Sequence, residues 1–220
     1  MTQSTAPQHP DWTWDTLNEA TLPLLAEAYY SEWGHETPGD EVLARQVARY
    51  YTAHLANQAN FSRLWLAEGK IAGVILGRLL DRPVAMSTLP ADFQEEKLAA
   101  ALEVHPNPAG RKSITFLKML STLNAEIYQR AIAAGREFDA ELLFLFVAKP
   151  WRQVGLAKEM IAWAQETMRA AGAKNYYLFT DSHCNWHYYT RAPWQQEGEC
   201  PWLDLYDFAG GRELMFSRTL

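Results

Sequence analysis

The sequence predicts an α/β fold in which one mixed β-sheet is flanked by helices. Three observations carry the prediction: a β-hairpin over 62–80, a strand–helix–strand unit over 141–180 and two strand-like stretches over 194–218. A two-residue connection such as Glu68-Gly69 joins antiparallel neighbours. A strand–helix–strand unit instead places its two strands in parallel. The sheet is therefore expected to contain both kinds of pairing.

The composition is that of one globular domain. The chain has 220 residues, of which 48% are hydrophobic and 21% are charged, and this is enough for one full core. Residues 1–10 are polar and contain two prolines. We therefore expect a disordered N-terminus at 1–10 and a single domain over 11–220.

Charge and cysteine usage argue against several classes of function. The formal net charge is −6, whereas nucleic-acid binding depends on clustered Lys and Arg. There is no signal-peptide pattern and no run of about 18 apolar residues, so we expect a cytoplasmic protein that does not enter membranes. Cys184 and Cys200 lack the spacing of metal ligands, and we expect no metal.

Helical and strand-like patterns alternate in the first half of the chain. After a short strand at 12–17, apolar residues recur at helical spacing over 19–33 and again after Asp40, a residue typical of helix N-caps. In the hairpin that follows, Gly73 and Gly77 indicate a bulge or the close approach of another backbone.

Residues 81–139 are predicted to form a helical insertion between the third and fourth strands. The pattern indicates one helix over 92–104 and a longer one from Ser113 to Ala134, separated by the Pro- and Gly-containing stretch 105–110. The longer helix carries an apolar stripe, which is typical of a face buried in the core.

The turn after the fourth predicted strand is the most informative for function. An apolar strand over 141–147 leads through Arg152-x-x-Gly155-x-Ala157 into a helix. Free N–H groups and the helix dipole make such a turn a seat for phosphate. Small residues at 155 and 157 keep these groups accessible, and Arg152 adds a cation. Many α/β proteins nevertheless use such turns for close packing alone.

With this turn in place, the order of elements resembles the GNAT superfamily of N-acetyltransferases, whose cofactor motif is Gln/Arg-x-x-Gly-x-Gly/Ala. A second stretch is similar to a later signature of the family, with Asn185 and the pair Tyr188-Tyr189 on a short helix. Two departures follow: Pro193 replaces a Gly and forces a different turn, and Trp194 replaces a Phe. The resemblance is specific over 141–194 and looser over 12–80.

The resemblance implies acetyl-CoA as acyl donor. It also implies a mostly antiparallel sheet in which one parallel strand pair splays apart around the cofactor. Three residues at the end of the fourth strand would face the pantetheine: Phe146, Val147 and Ala148. The turn would surround the pyrophosphate with Arg152, Gln153, Val154, Gly155, Leu156 and Ala157. Asn185 would lie beside the cofactor arm.

The implied reaction is direct attack on the thioester by a primary amine of a small molecule or peptide, once the amine has lost a proton. The Tyr189 hydroxyl is the implied donor to the departing thiolate, although its ring could equally pack the short helix against the sheet. Glu141 is a candidate base, because it precedes Arg152 by eleven residues, as the catalytic Glu does in histone acetyltransferases of the family. Alternatively it is the solvated start of the strand. Many members of the family form dimers, so the resemblance is compatible with a homodimer.

Other functions remain open from the sequence. A non-catalytic acyl-CoA-binding or interaction module would fit Pro193 and the long insertion, and the aromatic content would fit a transferase for larger acyl groups. A thiol or metal site at His183, Cys184 and His187 is disfavoured, since this spacing matches no common ligand set. The acidic balance weakly favours a cationic acceptor.

Overall fold

Seven strands form one sheet in the computed structural model, which describes residues 12–37, 39–86, 88–202 and 210–220. The expected disordered stretch 1–10 lies outside the described residues. The strands are β1 (Thr13–Asp15), β2 (Phe61–Ala67), β3 (Lys70–Leu79), β4 (Ala140–Val147), β5 (Asn175–Asp181), β6 (Gln195–Pro201) and β7 (Arg212–Thr219). Their order is β1-β2-β3-β4-β5-β7-β6, with β4 and β5 parallel and the other neighbours antiparallel. The predicted mixed, mostly antiparallel sheet is confirmed.

Five α-helices occur in the described part of the chain. They are α1 (Leu22–Trp33), α2 (Glu41–Ala56), α3 (Glu95–Glu103), α4 (Pro108–Ala133) and α5 (Leu156–Ala170). Short 3-10 segments lie at Gly34–Glu36, Ala91–Phe93, Lys149–Trp151 and Trp186–Thr190. As predicted, the connection between β3 and β4 is helical, because it contains α3 and α4.

The helices cover the two faces of the sheet unequally. On one face, called here the α5 face, Leu156, Met160 and Met168 pack against β3, β4 and β5. On the opposite face, α1 and α2 cover β3 and β4, while α4 covers β5, β6 and β7. We call this the α4 face. The two groups of helices on it therefore meet over the junction of β4 and β5.

The start of α4 differs from the prediction, which placed it at Ser113. The helix begins at Pro108, inside the stretch that was expected to break it. The Asn107 side chain accepts a hydrogen bond from the Ala109 N–H (3.0 Å) and so caps the helix. Proline is favourable at the first helical position, because its missing N–H would have no partner there.

The two glycines of β3 lie where neighbouring side chains approach closely, rather than another backbone. A Cβ at Gly73 would lie 2.8 Å from Met160 Sδ, and one at Gly77 would lie 2.1 Å from the Phe61 ring. Gly73 thus allows α5 to pack directly on the sheet. The β3–β4 register also shifts between Leu76 and Gly77, so the expected bulge is present.

Asn107→Ala tests how α4 is anchored. Besides capping α4, Asn107 Nδ2 donates to Asp40 Oδ2 (3.1 Å), and Asp40 Oδ1 caps α2 by accepting from the Leu43 N–H (3.0 Å). We expect the variant to lose about 1 kcal/mol in free energy of unfolding, the usual cost of a lost N-cap. Urea denaturation measures this. Thr122→Ala, on the exposed part of α4, is the control and should change stability by less than half as much.

Candidate active site

The parallel strands β4 and β5 separate soon after they meet. The last pair in their register is Leu142 with Leu178. Beyond it β4 continues to Val147 and β5 to Asp181, and the described residues show no pairing between these segments. On the β3 side, Leu143 is the extra residue of a bulge, and bulges bend a strand. The bend lies where β4 leaves β5, and it opens a wedge in the sheet.

The ladder between β3 and β4 determines which polar groups face this wedge. The Ala148 N–H donates to the Ala72 carbonyl (3.0 Å), so the main chain of Ala148 faces β3. Because backbone direction alternates along an antiparallel ladder, Phe146 also faces β3, whereas Leu145 and Val147 face the wedge. Of the three residues expected against pantetheine, only Val147 therefore turns its N–H and C=O to the open side. Leu145, which sequence reasoning missed, does so as well.

The turn before α5 presents free backbone donors. In the described part of the chain, the N–H groups of residues 153–157 make no hydrogen bond, and Gly155 caps α5 without a side-chain bond. Gly155 has φ +90°, and a Cβ there would meet nothing within 4 Å, so glycine is required by the backbone conformation. The Leu156 side chain points into the core and is buried. It therefore does not obstruct the Leu156 N–H, which a phosphate could reach.

Arg152 is held at the edge of this turn by two partners. Its Nε donates to the Val147 carbonyl (2.9 Å), and its Nη2 forms a salt bridge with Glu32 of α1 (2.8 Å). Lys149 Nζ lies 3.8 Å from the same carboxylate. Glu32 is a site residue that the sequence did not reveal, since it lies in a different helix. A diphosphate at the turn would compete with it for both cations.

Tyr189 lies on the α5 face beside the narrow end of the wedge. Its ring packs edge-on against Trp194 (4.9 Å) and lies 5.8 Å from Phe216, which pairs with Leu178. The hydroxyl makes no hydrogen bond with the described residues. Burial raises the pKa of Tyr189, so the hydroxyl keeps its proton at neutral pH and can donate it. The ring of Tyr189 can thus pack against the sheet while its hydroxyl remains able to donate a proton.

The other two residues of the later signature are exposed. Asn185 immediately precedes the Trp186–Thr190 segment, and Tyr188 is 46% exposed. The Ala192–Pro193 peptide bond, in the turn that follows, is cis.

Glu141 lies at the closed end of the wedge and is buried, so the interpretation as a solvated strand start is wrong. Its carboxylate forms a salt bridge with Arg78 Nη2 (2.6 Å) and accepts a hydrogen bond from the Tyr177 hydroxyl (2.9 Å). Burial raises the pKa of Glu141, and the Arg78 cation acts against that rise. The carboxylate is thus engaged by protein groups on the α4 face.

Aromatic side chains line the α4 face beside the wedge. Neighbouring rings lie 4.5–6.3 Å apart between centroids. They belong to Tyr29, Trp33, Tyr51, Phe144 and Phe146. This apolar wall covers β4 on the side opposite to α5, and an acceptor that enters from this side would reach the wedge along it.

Metal and thiol chemistry gain no support from the geometry. The described residues contain no group of three His, Cys, Asp or Glu side chains arranged to hold a metal ion. Cys184 Sγ donates to Asp181 Oδ2 (3.2 Å), and burial together with Asp181 raises the pKa of this thiol to about 12. It therefore stays protonated at neutral pH, unlike a nucleophilic cysteine.

A wedge between parallel strands and a turn of free N–H groups are features that suit the binding of an acyl-CoA. The acetyltransferase (GNAT) family model matches residues 18–192. The chain belongs to this family: it is an N-acetyltransferase that uses acetyl-CoA as donor, and small amines are the typical acceptors of such enzymes. The non-catalytic alternative is thereby set aside. None of the curated proteins is significantly similar in sequence.

Solved structures share the fold at low sequence identity. A Drosophila melanogaster polyamine N-acetyltransferase that forms N-acetylagmatine is 13% identical, with a TM-score of 0.54 over 96% of this chain and 100% of that one. A variant of agmatine N-acetyltransferase in its apo form is 13% identical (TM-score 0.53; 96% and 100%). Arylalkylamine N-acetyltransferase 2 from Aedes aegypti is 14% identical (TM-score 0.50; 95% and 99%).

The described residues include no helix with the length and apolar character that a bilayer crossing requires.

Glu32→Gln tests the competition at the turn. Replacing this carboxylate with a neutral amide frees Arg152 for a diphosphate, so CoA should bind about two- to fivefold more tightly, the range expected for a partly exposed ion pair. Isothermal titration calorimetry with CoA measures the effect. Glu41→Gln, which breaks the surface pair with Arg45, is the matched control and should leave CoA affinity unchanged. Weaker binding in Glu32→Gln would show that Glu32 instead holds Arg152 in place for the cofactor.

Proposed function

We propose that the chain acetylates a primary amine of a small molecule, with the cofactor on the α5 face and the amine on the α4 face. The observation that carries this proposal is the wedge, because it joins the two faces at the point beside Tyr189. A thioester placed in the wedge is accessible from the α4 face while its sulfur stays near the α5 face.

The cofactor would be held mainly by backbone groups. Pantetheine amides would pair with Leu145 and Val147, as an added strand does at an open sheet edge. The diphosphate would accept hydrogen bonds from the N–H groups of Gln153, Val154, Gly155, Leu156 and Ala157, with the Arg152 guanidinium beside it. Asn185, exposed at the end of the same face, would contact the cofactor arm. Phe146 and Ala148 would shape the wedge through their side chains.

The reaction would be a single transfer. The neutral amine nitrogen attacks the thioester carbon, the C–N bond forms and the C–S bond breaks. The sulfur leaves with the electron pair and takes the proton of the Tyr189 hydroxyl, which bulk water then restores. The second proton of the amine passes to a base or to water on the α4 face.

The α4 face favours a small molecule over a peptide as acceptor. Because α1 and α2 cover β4 while α4 covers β5 and β7, an extended chain would find no open groove along the strands.

We further propose that the enzyme acts in the cytoplasm and as a homodimer. Light scattering on the purified protein tests the dimer.

Two measurements test this proposal: acetyl transfer by the wild-type protein, and the kcat of the Tyr189→Phe variant. Purified protein should release CoA thiol from acetyl-CoA with at least one amine of a panel containing agmatine, putrescine, tyramine and lysine peptides. Loss of the donor should lower kcat about 100-fold or more, the usual range for proton transfer by a positioned side chain. CoA affinity should stay the same. Tyr188→Phe is the matched control. An unchanged kcat in Tyr189→Phe would remove Tyr189 from the reaction, and no turnover with any amine would contradict the proposal itself.

Glu141→Gln tests the candidate base. Because Glu141 is buried while its partner Arg78 is 35% exposed, we expect mainly a loss of stability of about 2 kcal/mol, the usual value of hydrogen bonds to a charged group. In the folded fraction kcat should fall less than tenfold. Thermal unfolding and the pH profile of kcat separate the two effects. A 100-fold loss of kcat with an unchanged melting temperature would instead make Glu141 the base.

A further inference from the structure

Among the described residues, one buried carboxylate of the sheet has no cation beside it. Glu213, at the start of β7, is 4% exposed. Its Oε2 accepts a long hydrogen bond from Trp202 Nε1 (3.4 Å), and its Oε1 accepts none from the described residues. Two other buried carboxylates of the sheet each form a salt bridge: Glu141 with Arg78, and Glu197 with Arg136. Within the described chain, Glu213 is buried without such a pair.

A second carboxylate makes this arrangement more costly. Asp181, the last residue of β5, lies directly opposite Glu213 in the β5–β7 ladder, and directly opposite residues share a face. The Asp181 carboxylate accepts the N–H groups of His183 (2.7 Å) and Cys184 (3.1 Å) and forms no salt bridge with the described residues. Burial first, and then the Asp181 charge, raise the pKa of Glu213 to about 8.

Both carboxylates lie on the acceptor side of the sheet. Along β7, Leu214 packs on the α5 face and Met215 on the α4 face, so alternation places Glu213 on the α4 face. The neighbouring Trp202 packs edge-on against Phe116 of α4 at 5.0 Å. Glu213 is therefore directed to the side from which the amine would arrive.

The distance along β5 indicates which part of the acceptor reaches the pair. Tyr189 marks the reaction point next to Leu178, the last residue paired with β4. Asp181 lies three residues farther along, which is about 10 Å at the usual rise of a strand. Side chains that lean back toward the wedge shorten this separation by a few ångströms. The pair thus lies too far from the thioester for the reacting nitrogen and within reach of the far end of a small molecule.

We propose that Glu213 and Asp181 bind a second cationic group of the acceptor, so that the substrate is a diamine or a related dication. This inference rests on the proposed function and names the substrate class for it. A bound ammonium supplies the cation that Glu213 lacks, donates to the free Oε1 and offsets the repulsion between the two carboxylates.

Cadaverine and n-pentylamine test the proposal, because they share one carbon chain and differ only in the second ammonium. Wild-type enzyme should have a KM for cadaverine at least tenfold below that for n-pentylamine. Glu213→Gln should raise the KM for cadaverine tenfold or more and leave that for n-pentylamine unchanged. Glu197→Gln is the matched control: it neutralises another buried carboxylate and should not change the ratio of the two KM values.

A binding measurement makes the test independent of turnover. Calorimetry of cadaverine with the CoA-bound protein should show binding to wild type and at least a tenfold loss of affinity in both Glu213→Gln and Asp181→Asn. Equal effects on both amines, or no binding of cadaverine to wild type, would overturn the proposal. Cadaverine binding without any acetyl transfer would instead count against the proposed function alone.

Discussion

The end of pairing between β4 and β5 is the constraint on which the site depends. Backbone N–H and C=O groups inside a sheet are normally paired, and leaving them unpaired is costly. Here the register stops at Leu142 and Leu178, and the bulge at Leu143 bends β4 away. At the closed end, the Glu141–Arg78 salt bridge and the Tyr177 hydroxyl join β3, β4 and β5. The sheet is thus fixed on one side of the divergence and open on the other, and an amide-bearing cofactor arm can supply the missing pairs.

The two faces of the wedge carry opposite electrostatic character. On the α5 side, the free donors of residues 153–157 and the Arg152 guanidinium suit an anion. On the α4 side, Glu213 and Asp181 suit a cation. This separation matches the charges of the two reactants, a CoA diphosphate and an amine. The net charge of −6 by itself could not have located either part.

Local patterns accounted for most of the fold. The hairpin was predictable because a two-residue turn leaves one way to pair, and the strand–turn–helix over 141–170 because its apolar runs and Gly155 are contiguous. The start of α4 was missed, since a Pro- and Gly-containing stretch looks like a break until Asn107 is seen to cap it. The family resemblance added the splayed strands, which no periodicity in this chain encodes.

The site was less predictable because much of it is assembled across the sheet. Glu213 and Asp181 are brought together by the β5–β7 register, and Glu32 reaches Arg152 from a different helix. Which β4 residues turn their backbone N–H and C=O to the wedge depends on the ladder with β3. Leu145 does so, whereas Phe146, which was expected to, faces β3. Residues within one turn, such as 152–157, could be proposed as a phosphate site from sequence because they are contiguous and open a helix.

A crystal structure with acetyl-CoA bound is the most direct test of the wedge as the cofactor site. The account predicts that pantetheine lies between β4 and β5, with its amides bonded to Leu145 and Val147. The diphosphate should lie within hydrogen-bond distance of the N–H groups of residues 153–157. Acetyl-CoA bound elsewhere, with the wedge and the turn both empty, would contradict it.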